Sequence, residues 1–159
     1  MKHPDFTRRR LLIGAAGAGL WLVTPALLAA PTPVEMWKAP QCGCCKDWAV
    51  HLQSNGFSVK AHDEGNTSMR ARLKIPLRYG SCHTATVGGY AIEGHVPARE
   101  IRRLLAERPK AIGLLVPAMP IGSPGMDGPE YNGRRDAYDV LLLLSDGSTR
   151  VFQHYAGRA

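Results

Sequence analysis

The sequence predicts an α/β domain with a central mixed sheet, flanking helices and a hairpin added at the C-terminus. Three observations predict it. Short segments of strand periodicity alternate with amphipathic helical ones. Two hairpins are announced by the two-residue turns Gly88-Gly89 and Asp146-Gly147. A pair of cysteines spaced C-x-x-C, Cys42 and Cys45, stands where the first strand gives way to the first helix. The length of 159 residues, 45% hydrophobic and 21% charged, fits one compact domain plus a short appendage. It excludes long disorder, collagen and coiled coil.

Each element has a local cause. Val34–Lys38 reads as a short strand closed by Ala39-Pro40. The cluster Cys42-Gly43-Cys44-Cys45 follows, then a helical stretch from Lys46 to Ser54. Trp48 and Leu52 share one face of it at i, i+4, and Asn55-Gly56 stops it. Phe57–Ala61 alternates like a half-buried strand. Asn66 or Thr67 caps a second helix running to about Lys74, before Ile75-Pro76. Thr84–Val87 and Tyr90–Ile92 flank Gly88-Gly89 as a hairpin. Pro97 opens a helix striped by Ile101, Leu104 and Leu105. A Pro/Gly/Met-rich loop spans Val116 to Gly133, and the hairpin of Tyr138–Leu144 and Thr149–Tyr155 completes the chain. There is no repeat, no linker dividing domains, and no surplus apolar face that would demand a dimer.

The first thirty residues read as an address. Lys2, Arg8, Arg9 and Arg10 precede an apolar run from Leu11 to Val23, and small residues follow around Pro25–Ala30. That order describes an export signal, and Thr7-Arg8-Arg9-Arg10-Leu11-Leu12 resembles the twin-arginine type. A membrane anchor is the alternative, but the run is short for a span and rich in Gly and Ala. The division expected is therefore 1–30, export signal, and 31–159, one domain working in the periplasm. Membrane contact is expected only through the signal before cleavage. The signal carries +3 of the formal charge of +7. What remains is too mild and scattered for a nucleic-acid partner. Arg99, Arg102, Arg103 and Arg108 form one basic helix face, expected to be solvated, and His51, His62 and His154 are expected at the surface.

A strand followed by C-x-x-C at a helix start is the thioredoxin-like arrangement, in which the helix N-terminus favours a thiolate. In such a fold the loop before the later hairpin faces the cysteines. Here that loop is Ser81-Cys82-His83-Thr84, so Cys82 and His83 are expected beside Cys42, Cys44 and Cys45. Four thiols and an imidazole admit several uses. Two stapling disulfides are one, although a chain this long needs none to hold its core. Thiol–disulfide exchange through Cys42 and Cys45 is another, and it leaves Cys44, Cys82 and His83 idle. A metal site uses every member, and the set suits Cu(I), zinc or an iron–sulfur centre. Met119 and Met126 lie in a rigid loop outside any helical or strand stripe. Either packs the loop or serves a soft metal, and thioethers favour copper over zinc. His95, at the hairpin end entering the last helix, reads first as a capping or hydrogen-bonding residue, with orientation of another ligand or ligation itself as the alternatives.

The motifs C-G-C-C (Cys42 to Cys45), S-C-H-T (Ser81 to Thr84), E-G-H-V-P (Glu93 to Pro97) and M-P-x-G-S-P-G-M (Met119 to Met126) together resemble one bacterial family. It is the CopG-type periplasmic copper-resistance proteins, catalogued as a domain of unknown function. The resemblance runs from about Val34 to Phe152. It implies a thioredoxin-like fold whose cysteine cluster and Cys-His loop hold copper, with Cys42, Cys44, Cys45, Cys82 and His83 as ligands. Interconversion of Cu(I) and Cu(II), and exchange with other periplasmic copper-handling proteins, are the activity and partners it implies. The chain departs from the pattern at Ala118, where a glycine is expected. A thiol–disulfide oxidoreductase and a zinc-stabilised module remain the alternatives.

Overall fold

The computed structural model describes residues 30–158, so the export signal expected over 1–30 lies outside the described residues but for Ala30. The chain forms β1 (Thr32–Lys38), α1 (Gly43–Gln53), β2 (Phe57–His62), α2 (Thr67–Arg72), β3 (His83–Val87), β4 (Tyr90–Glu93), α3 (Ala98–Glu107), β5 (Gly113–Leu115), β6 (Tyr138–Leu143) and β7 (Thr149–Tyr155). All seven strands make one mixed sheet in the order β2-β1-β3-β4-β5-β6-β7. β1 runs parallel to β2 and β4 to β5, and the other pairs are antiparallel. Among the described residues no helix is long and apolar enough to cross a membrane.

The main core lies on one face of the sheet. Trp48 and Leu52 of α1 and Ile101 and Leu104 of α3 pack there on Met36, Ile92, Leu114 and Leu142. Ile75, Ala91, Leu115 and Leu143 form a second cluster, in which Ile75 and Tyr79 meet β5 and β6. Neighbours along β5 thus enter different clusters, as successive side chains of a strand must. That explains a strand absent from the sequence reading. β5 is buried on both faces, so Gly113-Leu114-Leu115 shows no alternation. The expected C-terminal hairpin is present as β6 and β7, and β5 joins it to β4 so that it extends the same sheet.

Two helix boundaries differ from expectation. α1 begins at Gly43 rather than Lys46, with Cys42 at its N-cap, so Cys44 and Cys45 belong to its first turn. α2 stops at Arg72. Lys74 takes the left-handed conformation (φ 58°), and the Ile75 and Lys74 N–H groups bond to the Arg70 and Ala71 carbonyls. This is a Schellman ending, imposed just ahead of Pro76.

The basic face of α3 is not simply solvated. Arg103 lies 3.6 Å over the Phe152 ring, and Arg99 and Arg103 both pair with the buried Glu100. Tyr155 also donates to Glu100, at 2.8 Å, which docks β7 on α3. Arg102 donates to the Asn55 carbonyl.

Candidate metal centre

The cysteines meet where the N-terminus of α1 faces the start of β3. Cys42 and Cys45 form a disulfide with their Cα atoms 5.4 Å apart, and Cys45 is fully buried. Cys44 and Cys82 are free and half-buried. The sulfurs lie in a row: Cys44 Sγ is 3.7 Å from Cys42 Sγ and 3.8 Å from Cys82 Sγ. Cys45 Sγ adds a contact of 3.7 Å to the Cys82 carbonyl oxygen. Residues 38 apart in sequence are therefore side by side.

Two imidazoles close the row. Cys82 Sγ is 3.4 Å from His83 Nδ1 and 3.0 Å from His95 Nε2. His83 is buried beneath Trp48, ring centroids 4.3 Å apart, and Trp48 is held by its indole N–H donating to the Val96 carbonyl at 2.9 Å. His95 Nδ1 is 2.7 Å from the Pro124 carbonyl. A carbonyl only accepts, so Nδ1 carries the proton and Nε2 presents its lone pair to Cys82. The four cysteine sulfurs form one group within ligand distance of each other, and Cys82, His83 and His95 form a second, sharing Cys82.

Burial sets the protonation states. It pushes the Cys82 thiol up to about 12, and the adjacent Cys44 thiol pushes the same way. Burial holds His83 well below its ordinary value, and the neighbouring His95 adds to the effect. His95 is lowered by burial as well, partly opposed by the Pro124 carbonyl and Asp127. Both imidazoles are therefore neutral donors at neutral pH. Cys82, unlike a thiol at a helix N-terminus, keeps its proton until something displaces it.

The methionine loop is seated on the same turn of α1. A Cβ on Gly125 would stand 2.6 Å from the Cys44 carbonyl and 2.8 Å from Trp48 N, so only glycine allows the approach. Ala118, where a glycine is expected, has φ 59°. The departure sits at a position whose backbone favours glycine. Its N–H bonds to the Gly80 carbonyl and its carbonyl accepts from the Ser81 hydroxyl, tying loop to loop. The Met126 thioether accepts from the Tyr131 hydroxyl at 3.6 Å. Met119 is exposed, lining a surface groove with Tyr138 and Leu141.

The other histidines divide. His51 is half-buried rather than exposed: its Nε2 accepts the first free N–H of α3, that of Ala98, at 3.1 Å, and burial lowers it. His62 is half-buried, stacked on Trp37, and His154 is exposed beside Asp139. The residue that sequence reasoning passed over is Glu93. It is fully buried behind the Cys82-His83 segment. Its visible signals were its place at the head of the E-G-H-V-P motif and a charge next to the apolar strand Tyr90–Ile92.

Comparisons with known proteins agree on this region. The family described as a protein of unknown function, DUF411, matches residues 79–126, which include Cys82, His83, His95 and both loop methionines. No curated protein matches the chain. A solved structure of copper resistance protein CopG, form 1, is 44% identical, with a TM-score of 0.74, over 80% of this chain and 99% of that one. Form 2 is 43% identical, with a TM-score of 0.73, over 79% and 98%. The chain belongs to the CopG copper-resistance protein family. Family membership and the cysteine cluster together support a copper-related role, and the CopG alignment covers essentially the whole described domain.

Proposed function

We propose that this protein takes copper as its cargo in the thiol–imidazole cluster, in the periplasm, as part of copper resistance. One observation carries the reading: the Cys44 and Cys82 sulfurs lie 3.8 Å apart although they come from opposite ends of the fold's first half. The donor chemistry fits the ion. His83 Nε2 is buried with no hydrogen-bond partner among the described residues, and the His95 Nε2 lone pair faces Cys82 Sγ at 3.0 Å, so it is released when Cys82 loses its proton. Soft sulfurs suit Cu(I), and the imidazoles suit Cu(II). We assign a thioether contribution to Met126, whose loop rests on the Cys44 carbonyl through Gly125, and leave the exposed Met119 outside the site. The thioredoxin-like reading rests on the strand order β2-β1-β3-β4 and on the C-x-x-C pair at the N-terminus of α1.

The chain's residues divide the work. Cys42 is the half-buried, reachable member of the disulfide, so an incoming thiol attacks there and releases Cys45. Reduction frees all four sulfurs for copper. Cys82 gives up its proton on capture, so uptake releases protons. In the reverse direction, closure of Cys42–Cys45 yields two electrons and two protons. That is enough to reduce two Cu(II) ions to two Cu(I) ions, which gives interconversion a balanced route.

Competition of the reduced protein against a Cu(I) chelator is the test. Cys82→Ser and His83→Ala are each expected to lower copper stoichiometry, or to weaken affinity about tenfold or more. Two variants that bind like wild type would end the two-loop site. The disulfide itself favours one second reading, thiol–disulfide exchange through Cys42 and Cys45. That reading predicts reduction of a model disulfide by metal-free protein, lost in Cys42→Ser and kept in Cys82→Ser. Zinc without copper in protein purified from cells would point instead to a zinc-stabilised module.

A further inference from the structure

The geometry points to Glu93 as the positioning residue of the Cys82-His83 segment, a clamp that aims the Cys82 sulfur at Cys44 and His95. The inference rests on the copper reading above for its purpose, and on hydrogen bonds alone for its existence.

Glu93 ends β4 with its side chain fully buried. A buried carboxylate is costly unless every oxygen is engaged, and here both are. Oε1 accepts the Ser81 N–H at 2.7 Å and Arg70 Nε at 2.8 Å. Oε2 accepts the Thr84 hydroxyl at 2.6 Å. Ser81 and Thr84 are the residues on either side of Cys82 and His83, so one carboxylate grips the ligand segment at both ends. None of these bonds goes to sulfur or imidazole.

Arg70 completes the clamp from α2. Its side chain is 11% exposed, and besides pairing with Glu93 it donates to the Ser81 carbonyl. Asn66, at the N-cap of α2, donates to the same carbonyl and to the Thr84 hydroxyl, both at 3.2 Å. On the strand side, Gly94 N–H bonds to the His83 carbonyl at 3.0 Å, and β3 and β4 pair Thr84 with Glu93. Gly94 must be glycine, since a Cβ there would strike the Ser81 side chain and the Val116 carbonyl. Cys82 thus sits between anchored neighbours, with one direction left for its sulfur. An apolar residue in place of Glu93 could fill the space, but it could not bond to residues 81 and 84 together. A carboxylate retained at that desolvation cost is a device for geometry.

The test compares purified wild-type protein with Glu93→Gln, in which the amide nitrogen faces donors where an oxygen accepted. Alkylation of Cys82 by iodoacetamide, followed by peptide mass spectrometry against Cys44 in the same molecule, is read without metal. Cu(I) affinity is read by chelator competition, alone and in a Cys82→Ser background. The clamp predicts a cooperatively folded variant with Cys82 alkylated about tenfold faster. It also predicts Cu(I) affinity about tenfold weaker, with a clearly smaller loss, through His83 alone, when Cys82 is already serine. An unchanged alkylation rate, or an equal affinity loss in both backgrounds, overturns the clamp and leaves Glu93 a merely structural residue. Should Glu93→Gln fail to fold, Thr84→Val removes the Glu93 and Asn66 bonds to that hydroxyl while leaving the Ser81 end gripped, and is expected to speed alkylation about threefold. A wild-type protein that binds no Cu(I) would sink the copper reading, while the alkylation ratio would still decide the clamp.

Discussion

Replacing Gly125 with alanine is expected to push the methionine loop off the first turn of α1 and to unlock His95. The new Cβ would stand 2.6 Å from the Cys44 carbonyl, where ordinary contact begins at 3.4 Å, so the loop must retreat by 0.8 Å. The obstacle is helix backbone, which cannot swing aside as a side-chain tip would. Gly125 also has φ 84°, a conformation that costs an L-residue about 1–2 kcal/mol. Overpacking adds about 1–3 kcal/mol, so a total near 3 kcal/mol is reasonable. For a domain of this size that lowers the melting temperature by roughly 10 °C. The retreat has a second consequence. Pro124 precedes Gly125, and its carbonyl accepts from His95 Nδ1 at 2.7 Å. Displacement by the same amount stretches that bond to about 3.5 Å, beyond useful range, and frees the imidazole to change tautomer. Thermal unfolding and the nitrogen resonances of the His95 ring in the metal-free protein read both effects. Gly43→Ala is the control, because a Cβ there meets nothing within 4 Å although it lies in the same turn. A Gly125→Ala protein melting within about 2 °C of wild type, with its His95 resonances unmoved, would refute the seating of the loop on α1.

Stability is expected to fall on acidification through pH 6.5, the ordinary histidine value, because His83 and His95 stay neutral in the fold while the unfolded chain takes up protons. The unfolded state then binds more protons, and each buried histidine contributes a slope of up to about 1.4 kcal/mol per pH unit, with half-buried His51 adding less. Above pH 9.0 stability falls again, since the unfolded Cys82 thiol ionises there and the folded one holds its proton to about 12. Denaturant midpoints across pH 5–10 check both limbs, and a flat profile from 5 to 8 would contradict the buried imidazoles. Replacing Arg8, Arg9 and Arg10 together by lysine is expected to leave precursor in the cytoplasm, scored by cell fractionation. Undiminished periplasmic yield would assign export to the general secretory route.

Much of this protein was legible because its signals are local. The turn at Gly88-Gly89, the stripe of Ile101 and Leu104, and the C-x-x-C pair beside β1 each declare themselves within a few residues. The element order they define, matched to the thioredoxin-like arrangement, was what brought Ser81–Thr84 towards the cysteine turn. β5 was not legible, because burial on both faces erases the alternation that marks a strand. The basic residues of α3 misled for a related reason: a helix-face pattern shows that Arg99 and Arg103 are neighbours but not that β7 lies against them.

The sequence by itself determined the α/β class, the position of three cysteines at a helix start, and the chemical softness of the donor set, all consequences of residue type and short-range spacing. Tertiary structure alone decided which sulfurs pair, with Cys42 bonded to Cys45 and Cys44 left facing Cys82. It also decided that His95 offers Nε2 and that Glu93 grips both sides of Cys82-His83. Those outcomes depend on strand register and on how closely two loops approach. No periodicity along one chain encodes a distance between segments that meet only when the sheet has formed.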